Sequence, residues 1–286
     1  MYLRTFRRAE EVLHSFIRSR LQFAEERAPS TPSKAFYPAG LSLRFRGWIC
    51  YLKAAILAGG AGTRLYPITA YVPKALIPIG SRYVIEYIID YLKHHKIHEI
   101  VMLISESEHE LLRNHLGGGS RFGVKIEYSV ADRIGTAGAL GAATDVLGER
   151  FVVYYGDVLT DMDLYSMIRF HELKMSICTV AMSTTVPIEY GVGRVAEDGR
   201  VTYFEEKPVI EEYPVSMGIL MCESEILSYC KPNTDISHDV IPELLRKNRP
   251  VFGYLTPKRH YDIGTFKNLE EVRVLVEQSK APFQFF

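Results

Sequence analysis

The chain has 286 residues, of which 47% are hydrophobic and 24% are charged, and its formal net charge is zero. This composition is typical of a globular protein with a buried core, and no apolar run reaches the roughly 18 residues of a membrane-spanning helix. The balanced charge excludes a general electrostatic attraction to nucleic acids or acidic membranes, so we predict a cytoplasmic protein that acts on small molecules.

The first 51 residues differ in composition from the rest of the chain. They are rich in arginine, and then in proline, serine and alanine. Met1–Glu26 has the pattern of an amphipathic basic helix, and Ala28–Gly40 has the composition of a loop. We interpret residues 1–51 as an extension that is disordered or packs loosely, or that precedes a natural start of the polypeptide near Leu52.

Strands and helices are predicted to alternate from Lys53 onward. Short apolar runs predict strands at Lys53–Ala58, Glu99–Ser105, Val124–Val130, Phe151–Gly156 and Ser176–Thr184. Helical periodicity predicts helices at Arg82–Lys96, Glu108–Leu116, Thr136–Leu147 and Asp163–Lys174. This alternation predicts an α/β fold of Rossmann-like type, with a mostly parallel sheet and helices on both faces.

The pattern changes after Thr185. Gly193–Pro208 predicts two strands around an Asp198-Gly199 turn. Further strands are predicted at Val215–Glu223 and Val251–Leu255, and helices at Asp239–Asn248 and Thr265–Gln278. We therefore predict one domain at 52–286, with an α/β part of nucleotide-binding type at 52–185 and a smaller, mixed, C-terminal part at 186–286.

A glycine-rich loop follows the first predicted strand, in the sequence AILAGGAGTRLYPITAYVPKALIPIG that starts at Ala55. Two common phosphate loops are excluded, because no G-K-[ST] triplet follows the glycines and Leu65 stands where a dinucleotide loop has its third glycine. Small residues let main-chain amides approach ligand oxygens closely. Arg64 adds a fork of donors, and Lys74 is held between two prolines. A polyphosphate site fits this segment better than a surface turn with incidental charges.

Two aspartates follow apolar segments that are distant from each other in the chain. Asp157 comes after a strand in YYGDV, and Asp262 lies in YDIGTF. The carboxyl ends of strands are where α/β sheets bind ligands, and two carboxylates can hold one Mg²⁺ that also binds phosphates. Capping of a helix or turn is the alternative role for either residue.

The segment EEKP brings a carboxylate next to a cation at Glu206 and Lys207. A carboxylate can accept hydrogen bonds from neighbouring sugar hydroxyls, and a lysine can bind the sugar's phosphate. Neighbouring side chains of a strand point to opposite faces, so both residues can serve one ligand only if the backbone bends at Pro208. A solvated strand end is the alternative.

These motifs together resemble the signature of the sugar-1-phosphate nucleotidyltransferases, L-A-G-G-x-G-T-R-L-x-P-x-T followed by P-K-x-L-x-P. The resemblance extends over residues 53–270 and implies catalytic roles for Arg64, Lys74, Asp157 and Lys207. It implies a nucleotide-binding set that comprises Leu57, Ala58, Gly59, Gly60, Gly62, Thr63, Arg64, Lys74, Gly135 and Thr136. It further implies that Asp157 and Asp262 bind Mg²⁺.

On the sugar side the resemblance rests on three short motifs. Y-G-V, E-K-P and S-M-G imply a set of sugar-phosphate-binding residues that comprises Tyr190, Gly191, Glu206, Lys207, Ser216 and Gly218.

The activity that the resemblance implies is Mg²⁺-dependent transfer of a nucleotidyl group from a nucleoside triphosphate to a sugar 1-phosphate. DRIGTAGAL resembles the guanylyltransferase-like members, although its acidic residue, Asp132, matches only loosely. GTP with mannose 1-phosphate is therefore favoured. The alternatives are TTP or UTP with glucose 1-phosphate, and a non-catalytic regulatory subunit that binds nucleotide sugars. A homo-oligomer is compatible with the sequence.

Overall fold

The computed structural model describes residues 52–60, 62–132, 134–187, 190–210, 213–278 and 280, which belong to one compact unit. The predicted extension of residues 1–51 lies outside the described residues. None of the helices in the described ranges has the length and apolar character needed to cross a lipid bilayer.

The described strands are β1 (Lys53–Leu57), β2 (Pro78–Ile79), β3 (Arg82–Tyr83), β4 (Glu99–Ile104), β5 (Lys125–Val130), β6 (Arg150–Tyr155), β7 (Val158–Thr160), β8 (Cys178–Ser183), β9 (Val186–Pro187), β10 (Val192–Val195), β11 (Val201–Glu205), β12 (Val209–Ile210), β13 (Val215–Glu223), β14 (Val251–Thr256) and β15 (His260–Asp262). Seven of them form a sheet at the centre of the unit, in the order β14-β8-β13-β6-β1-β4-β5. Strand β13 is antiparallel to both of its neighbours, β6 and β8, and the other neighbouring pairs are parallel.

Helices cover both faces of this sheet. The described α-helices are α1 (Val84–His94), α2 (Glu106–Leu116), α3 (Gly135–Ala142), α4 (Thr144–Leu147), α5 (Leu164–Lys174), α6 (Ile241–Arg246) and α7 (Phe266–Glu277). In β1, Ala54 and Ile56 belong to the core cluster that includes α1 and α5 residues, whereas Ala55 belongs to the cluster with α3 and α4 residues. A strand buried on both faces has no polar alternation, which explains its continuous apolar run.

The predicted fold class is confirmed, and two helices differ from the prediction. The segment predicted as one helix at Thr136–Leu147 is divided into α3 and α4 at Ala143. The helix predicted at Asp239–Asn248 begins earlier, with a π-helical turn at Ile236–Val240, before α6. Helical periodicity locates the apolar face of a segment but does not report such local changes in hydrogen bonding.

The hairpin predicted within residues 193–208 is present in the structure. Strands β10 and β11 pair antiparallel around the Asp198-Gly199 turn, where the Arg200 amide donates to Asp198 Oδ1 over 3.0 Å. All five residues of β11 are exposed. The hairpin is therefore a surface element that contributes little to the core.

Candidate active site

A pocket of about 370 Å³ opens at the carboxyl ends of β1, β4, β5 and β6. Ligands bind at this edge in open α/β sheets. The start of α3 and the side chain of Lys74 also line the pocket. Of the predicted nucleotide-binding residues, those that line it are Leu57, Ala58, Gly59, Gly60, Lys74, Gly135 and Thr136. The predicted metal ligand Asp157 lines the same pocket.

Gly62 and Thr63 do not line this pocket. Gly62 adopts a left-handed conformation with φ 59° and precedes the short 3₁₀ helix Thr63–Leu65. Its carbonyl accepts a hydrogen bond from Thr69 Oγ1 over 2.8 Å. These two residues shape the turn that carries Arg64, so they affect the site through the position of Arg64.

Lys74 lies between the two predicted metal ligands. Its ammonium donates to Asp157 Oδ2 and lies 3.8 Å from Asp262 Oδ1. Arg64 Nη2 lies 3.5 Å from Asp262 Oδ2. The Lys74 side chain is only 13% exposed, which limits screening by water. The structure thus brings together the four charged side chains that the sequence predicts for phosphate and metal.

A pair of short strands brings the two aspartates together. β7 follows Asp157 and pairs antiparallel with β15, so that Asp262 is opposite Val158. The Ile263 amide then donates to the Asp157 carbonyl over 2.8 Å. Asp157 therefore follows a strand of the central sheet, while Asp262 reaches it through a separate two-stranded ribbon.

Gly264 allows Arg64 and Asp262 to approach each other. A Cβ atom added at Gly264 would lie 2.5 Å from Arg64 Nη2 and 2.6 Å from Asp262 Oδ1. Both separations are shorter than real Cβ contacts, so any other residue would displace one of the charged groups. The glycine of the D-x-G pattern is explained by this close approach.

The two aspartates fit a magnesium ion. Asp262 Oδ1 is buried and accepts no hydrogen bond from the described residues. Within those residues, no three His, Cys, Asp or Glu side chains form a metal-binding cluster. Mg²⁺ is commonly held by one or two carboxylates, with water and substrate phosphates completing its octahedron. An oxygen-only pair of this kind suits that ion, and its assignment stays a prediction.

The start of α3 contacts a segment that the sequence analysis did not connect with the pocket. Thr136 Oγ1 donates to Asp235 Oδ2 over 2.6 Å, and the Ala137 amide donates to the Thr234 carbonyl over 3.0 Å. The Ala137 amide therefore bonds within the protein, and the nucleotide-binding role of Gly135 and Thr136 stays a prediction. The one signal in the sequence was Asp235 itself, an N-cap residue ahead of a helical pattern.

Tyr155 is a further pocket residue that the sequence analysis missed. It ends β6, lines the pocket and has the hydroxyls of Ser237 and Thr136 beside it. Burial raises the pKa of Tyr155, and these two neighbouring hydroxyls partly oppose the shift. The side chain is therefore a neutral hydroxyl at physiological pH. Its position directly before the G-D pair was the signal available in the sequence.

The predicted sugar-binding residues occupy two places. Tyr190, Gly191, Glu206 and Lys207 lie in or next to the surface hairpin and do not line the pocket. A Cβ added at Gly191 would lie 2.9 Å from Glu206 Oε2, so the Y-G-V and E-K-P motifs are adjacent. Lys207 has φ 51°, so the backbone leaves the extended conformation there, as the prediction for this segment required.

Ser216 and Gly218 lie in β13, close to the pocket. The register of β13 against β8 shifts between Ser216 and Leu220, and the Gly218 amide donates to Ser216 Oγ over 3.4 Å. A Cβ added at Gly218 would contact the Tyr155 side chain at 3.2 Å. This β-bulge therefore packs against a residue of the pocket wall.

A family model described as nucleotidyl transferase matches residues 53–279. The chain belongs to the nucleotidyl transferase family. The resemblance noted from its motifs is thereby confirmed.

Several curated proteins of known sequence are similar to this family member. UTP–glucose-1-phosphate uridylyltransferase of Synechocystis sp. is 33% identical over 235 residues, which cover 74% of this chain and 60% of that protein. A protein of Oryza sativa subsp. japonica named probable mannose-1-phosphate guanylyltransferase 1 is 34% identical over 224 residues, covering 74% and 61% respectively. The chain thus spans about three-fifths of the length of these relatives.

A solved structure supports the fold. A candidate glucose-1-phosphate thymidylyltransferase of Bacillus anthracis, crystallised with sucrose, superposes with a TM-score of 0.62 at 28% identity. The match covers 78% of this chain and 94% of that one. The relatives differ in the base and the sugar that their names specify, so the family alone does not select a substrate pair.

Proposed function

We propose that the chain transfers a nucleotidyl group from a nucleoside triphosphate to a sugar 1-phosphate and releases pyrophosphate. The observation that carries this proposal is the cluster of Arg64, Lys74, Asp157 and Asp262, in which two cations and two carboxylates lie within 4 Å of one another in pairs. Lys74 and Asp157 line the pocket, and Arg64 and Asp262 lie next to them. Such a cluster suits a polyphosphate together with a divalent cation. The sugar-phosphate substrates named for the relatives support the same reaction class.

The proposed reaction needs positioning and charge neutralisation rather than a covalent enzyme nucleophile. A phosphate oxygen of the sugar 1-phosphate attacks the α-phosphorus of the nucleoside triphosphate in line. The bond from the α-phosphorus to the oxygen that bridges to the β-phosphorus breaks, and its electron pair leaves with pyrophosphate. Arg64 and Lys74 bind the triphosphate and neutralise the leaving group. Lys207 binds the attacking phosphate and offsets the repulsion between two anions.

Asp157 and Asp262 would hold Mg²⁺, which supplies positive charge to the phosphates when bound. Lys74 faces both carboxylates, so the same lysine can orient them and contact a phosphate oxygen. The presence of Lys74, Asp157 and Asp262 together favours a catalyst over a regulatory subunit, because binding of a nucleotide sugar alone does not require the two metal-binding carboxylates.

We further propose GTP as the nucleotide, on the chemistry of Asp132. Two other polar side chains at this end of the pocket already have partners: Ser105 bonds with Glu108, and Thr136 bonds with Asp235. Asp132 lines the pocket, and its carboxylate has no partner among the described residues.

A free carboxylate only accepts hydrogen bonds, so it selects among the bases. Guanine presents two adjacent donors, N1–H and the 2-amino group. Uracil and thymine present one N–H between two carbonyl oxygens, which a carboxylate repels. This complementarity supports GTP, and the named rice relative supports mannose 1-phosphate. UTP with glucose 1-phosphate is the second candidate, because the Synechocystis relative is named for that pair.

A panel assay tests both levels of the proposal. GTP, UTP and dTTP are each incubated with mannose 1-phosphate or glucose 1-phosphate and Mg²⁺, and pyrophosphate release is measured. We expect GTP with mannose 1-phosphate to give the highest kcat/KM. In Asp132→Asn, we expect kcat/KM for GTP to fall by about 10- to 100-fold and that for UTP to change less.

A matched pair of lysine variants controls for the site. Lys74→Met removes one of the two cations of the cluster, and Lys96→Met removes an exposed lysine in the turn after α1. Activity should be lost only in the first. Release of no pyrophosphate from any substrate pair by the wild-type protein would overturn the proposed reaction, whereas faster turnover of UTP than of GTP would overturn only the choice of base.

A further inference from the structure

A segment from the C-terminal part of the chain closes the pocket wall at the start of α3. The Asn233 amide donates to the Ile134 carbonyl over 2.6 Å, and the Ala137 amide donates to the Thr234 carbonyl over 3.0 Å. A Cβ added at Gly135, which has φ 79°, would overlap the Thr234 carbonyl. The two main chains are therefore in direct contact, although one belongs to the predicted nucleotide-binding part and the other does not.

The centre of this contact is a reciprocal pair of side chains, Thr136 and Asp235. Thr136 Oγ1 donates to Asp235 Oδ2 over 2.6 Å and accepts from the Ile236 amide over 2.9 Å. Asp235 Oδ1 accepts from the amides of Ser237 and His238 over 2.8 and 3.1 Å. One oxygen of the Asp235 carboxylate is thus held by main-chain amides of its own segment. The other oxygen holds the Thr136 hydroxyl in position.

The pair is connected with the rest of the pocket wall through Tyr155. Its side chain lies beside the hydroxyls of Thr136 and Ser237, and its ring packs against Gly218 in the bulge of β13. Thr136 and Tyr155 line the pocket, but Asp235 does not. Asp235 therefore lies outside the pocket and contacts a residue that lies in it.

We propose that Asp235 is a positioning residue for nucleotide binding: by holding Thr136 it fixes the start of α3 in the geometry that receives the nucleotide. The inference rests on the proposed function in that the pocket is taken to bind a nucleoside triphosphate. Loss of an anionic acceptor at this place leaves a pocket hydroxyl and the helix start less constrained, which weakens binding of the rigid base and ribose. The hairpin residues proposed for the sugar phosphate do not line this pocket, so binding of the sugar phosphate is expected to be unaffected.

The test separates the side-chain pair from the capping role of Asp235. Asp235→Ala removes the pair and also the cap of the π-helical turn, whereas Thr136→Val removes the pair and leaves the cap. Thr136→Ser keeps the hydroxyl and serves as the conservative variant. Glu243→Gln, which loses only a surface ion pair with Lys247, is the matched control in the same region.

Two measurements are made on each variant of the full chain. The Kd values of GTP and UTP are measured by calorimetry with Mg²⁺, and KM values for nucleotide and for mannose 1-phosphate are measured by pyrophosphate release. We expect Asp235→Ala and Thr136→Val each to raise the nucleotide Kd and KM at least tenfold, with less than twofold change in the sugar-phosphate KM. The double variant should be no weaker than the worse single variant. Thr136→Ser should lie closer to wild type than Thr136→Val, and Glu243→Gln should resemble wild type.

The outcomes are distinguishable from failure of the proposed function. If wild type binds a nucleotide but releases no pyrophosphate, the reaction is wrong and the Kd values still decide on Asp235. An unchanged nucleotide Kd in Thr136→Val, or an equal rise in both KM values, would overturn the positioning role and leave Asp235 as a structural cap. If wild type binds no nucleotide, both the reaction and this inference are wrong.

Discussion

The Ile263 amide donates to the Asp157 carbonyl over 2.8 Å, and this hydrogen bond joins two strand ends that are distant in the sequence. It sets the separation of the Asp157 and Asp262 backbones, because Asp262 immediately precedes Ile263. Both carboxylates then lie close to the ammonium group of Lys74. The candidate metal site is therefore built on paired backbone, which is more rigid than a loop.

From this arrangement we predict that Asp157→Asn and Asp262→Asn each lower kcat at least about a hundredfold, because each removes a negative charge that would hold the cation at the reacting phosphates. The amide side chain has the same shape, so the thermal midpoint of unfolding should change little. The Mg²⁺ concentration for half-maximal activity should rise in both variants.

Asp145→Asn, at an exposed position in α4, is the matched control and should behave as wild type. Near-normal turnover by either Asp157→Asn or Asp262→Asn, at the Mg²⁺ concentration that half-saturates wild type, would contradict the metal assignment.

Much of this site could be predicted from the sequence, since its parts have local signals. The glycine loop, the lysine between prolines and the strand-end aspartate are each visible in a few consecutive residues. The pairing of β7 with β15 has no such signal, because each strand has three residues and the two come from distant parts of the chain. The contact of Asp235 with Thr136 is likewise a product of tertiary packing, and no periodicity reports it.

Gly264 offers a test that removes no charged group from the site. We predict that Gly264→Ala lowers kcat/KM at least tenfold, because the added methyl group would displace Arg64 Nη2 or Asp262 Oδ1 from their present positions. Gly118→Ala is the matched control, since a Cβ at Gly118 meets no atom within 4 Å. Equal activities of the two variants would mean that the close approach of Arg64 and Asp262 has no role in the reaction.

Lys207 is predicted to act on the sugar phosphate alone. Lys207→Met should raise the KM for mannose 1-phosphate at least tenfold and leave the Kd of the nucleotide unchanged, because the hairpin that carries Lys207 does not line the nucleotide pocket. Arg200→Met, in the same hairpin and paired with Asp198 of its turn, is the control. A weaker nucleotide Kd in Lys207→Met would assign this lysine to the triphosphate instead.

His95 makes the stability of the fold depend on pH. Its Nδ1 lies 2.9 Å from the Tyr91 carbonyl and its Nε2 lies 3.2 Å from the Leu164 amide, which fits a neutral ring that donates through the first and accepts through the second. Burial lowers the pKa of His95, and the positive charge of His94 adds to this, whereas the Tyr91 hydrogen bond and Asp163 oppose it. The unfolded chain therefore takes up the proton at a higher pH than the folded one.

The sign of the effect follows from that difference. Above the unfolded pKa of about 6.5 the ring is neutral in both states, and in the folded chain it accepts the hydrogen bond from the Leu164 amide of α5. As the pH falls below about 6.5, protonation favours the unfolded chain, and the free energy of unfolding decreases until the pH passes the folded pKa. We predict that the thermal midpoint of wild type falls between pH 7.5 and 5.5, and that His95→Gln is less stable at pH 7.5 but falls less steeply. His238→Gln, at a side chain 89% exposed, should keep the wild-type slope. Parallel slopes for wild type and His95→Gln would assign the pH dependence to another buried group.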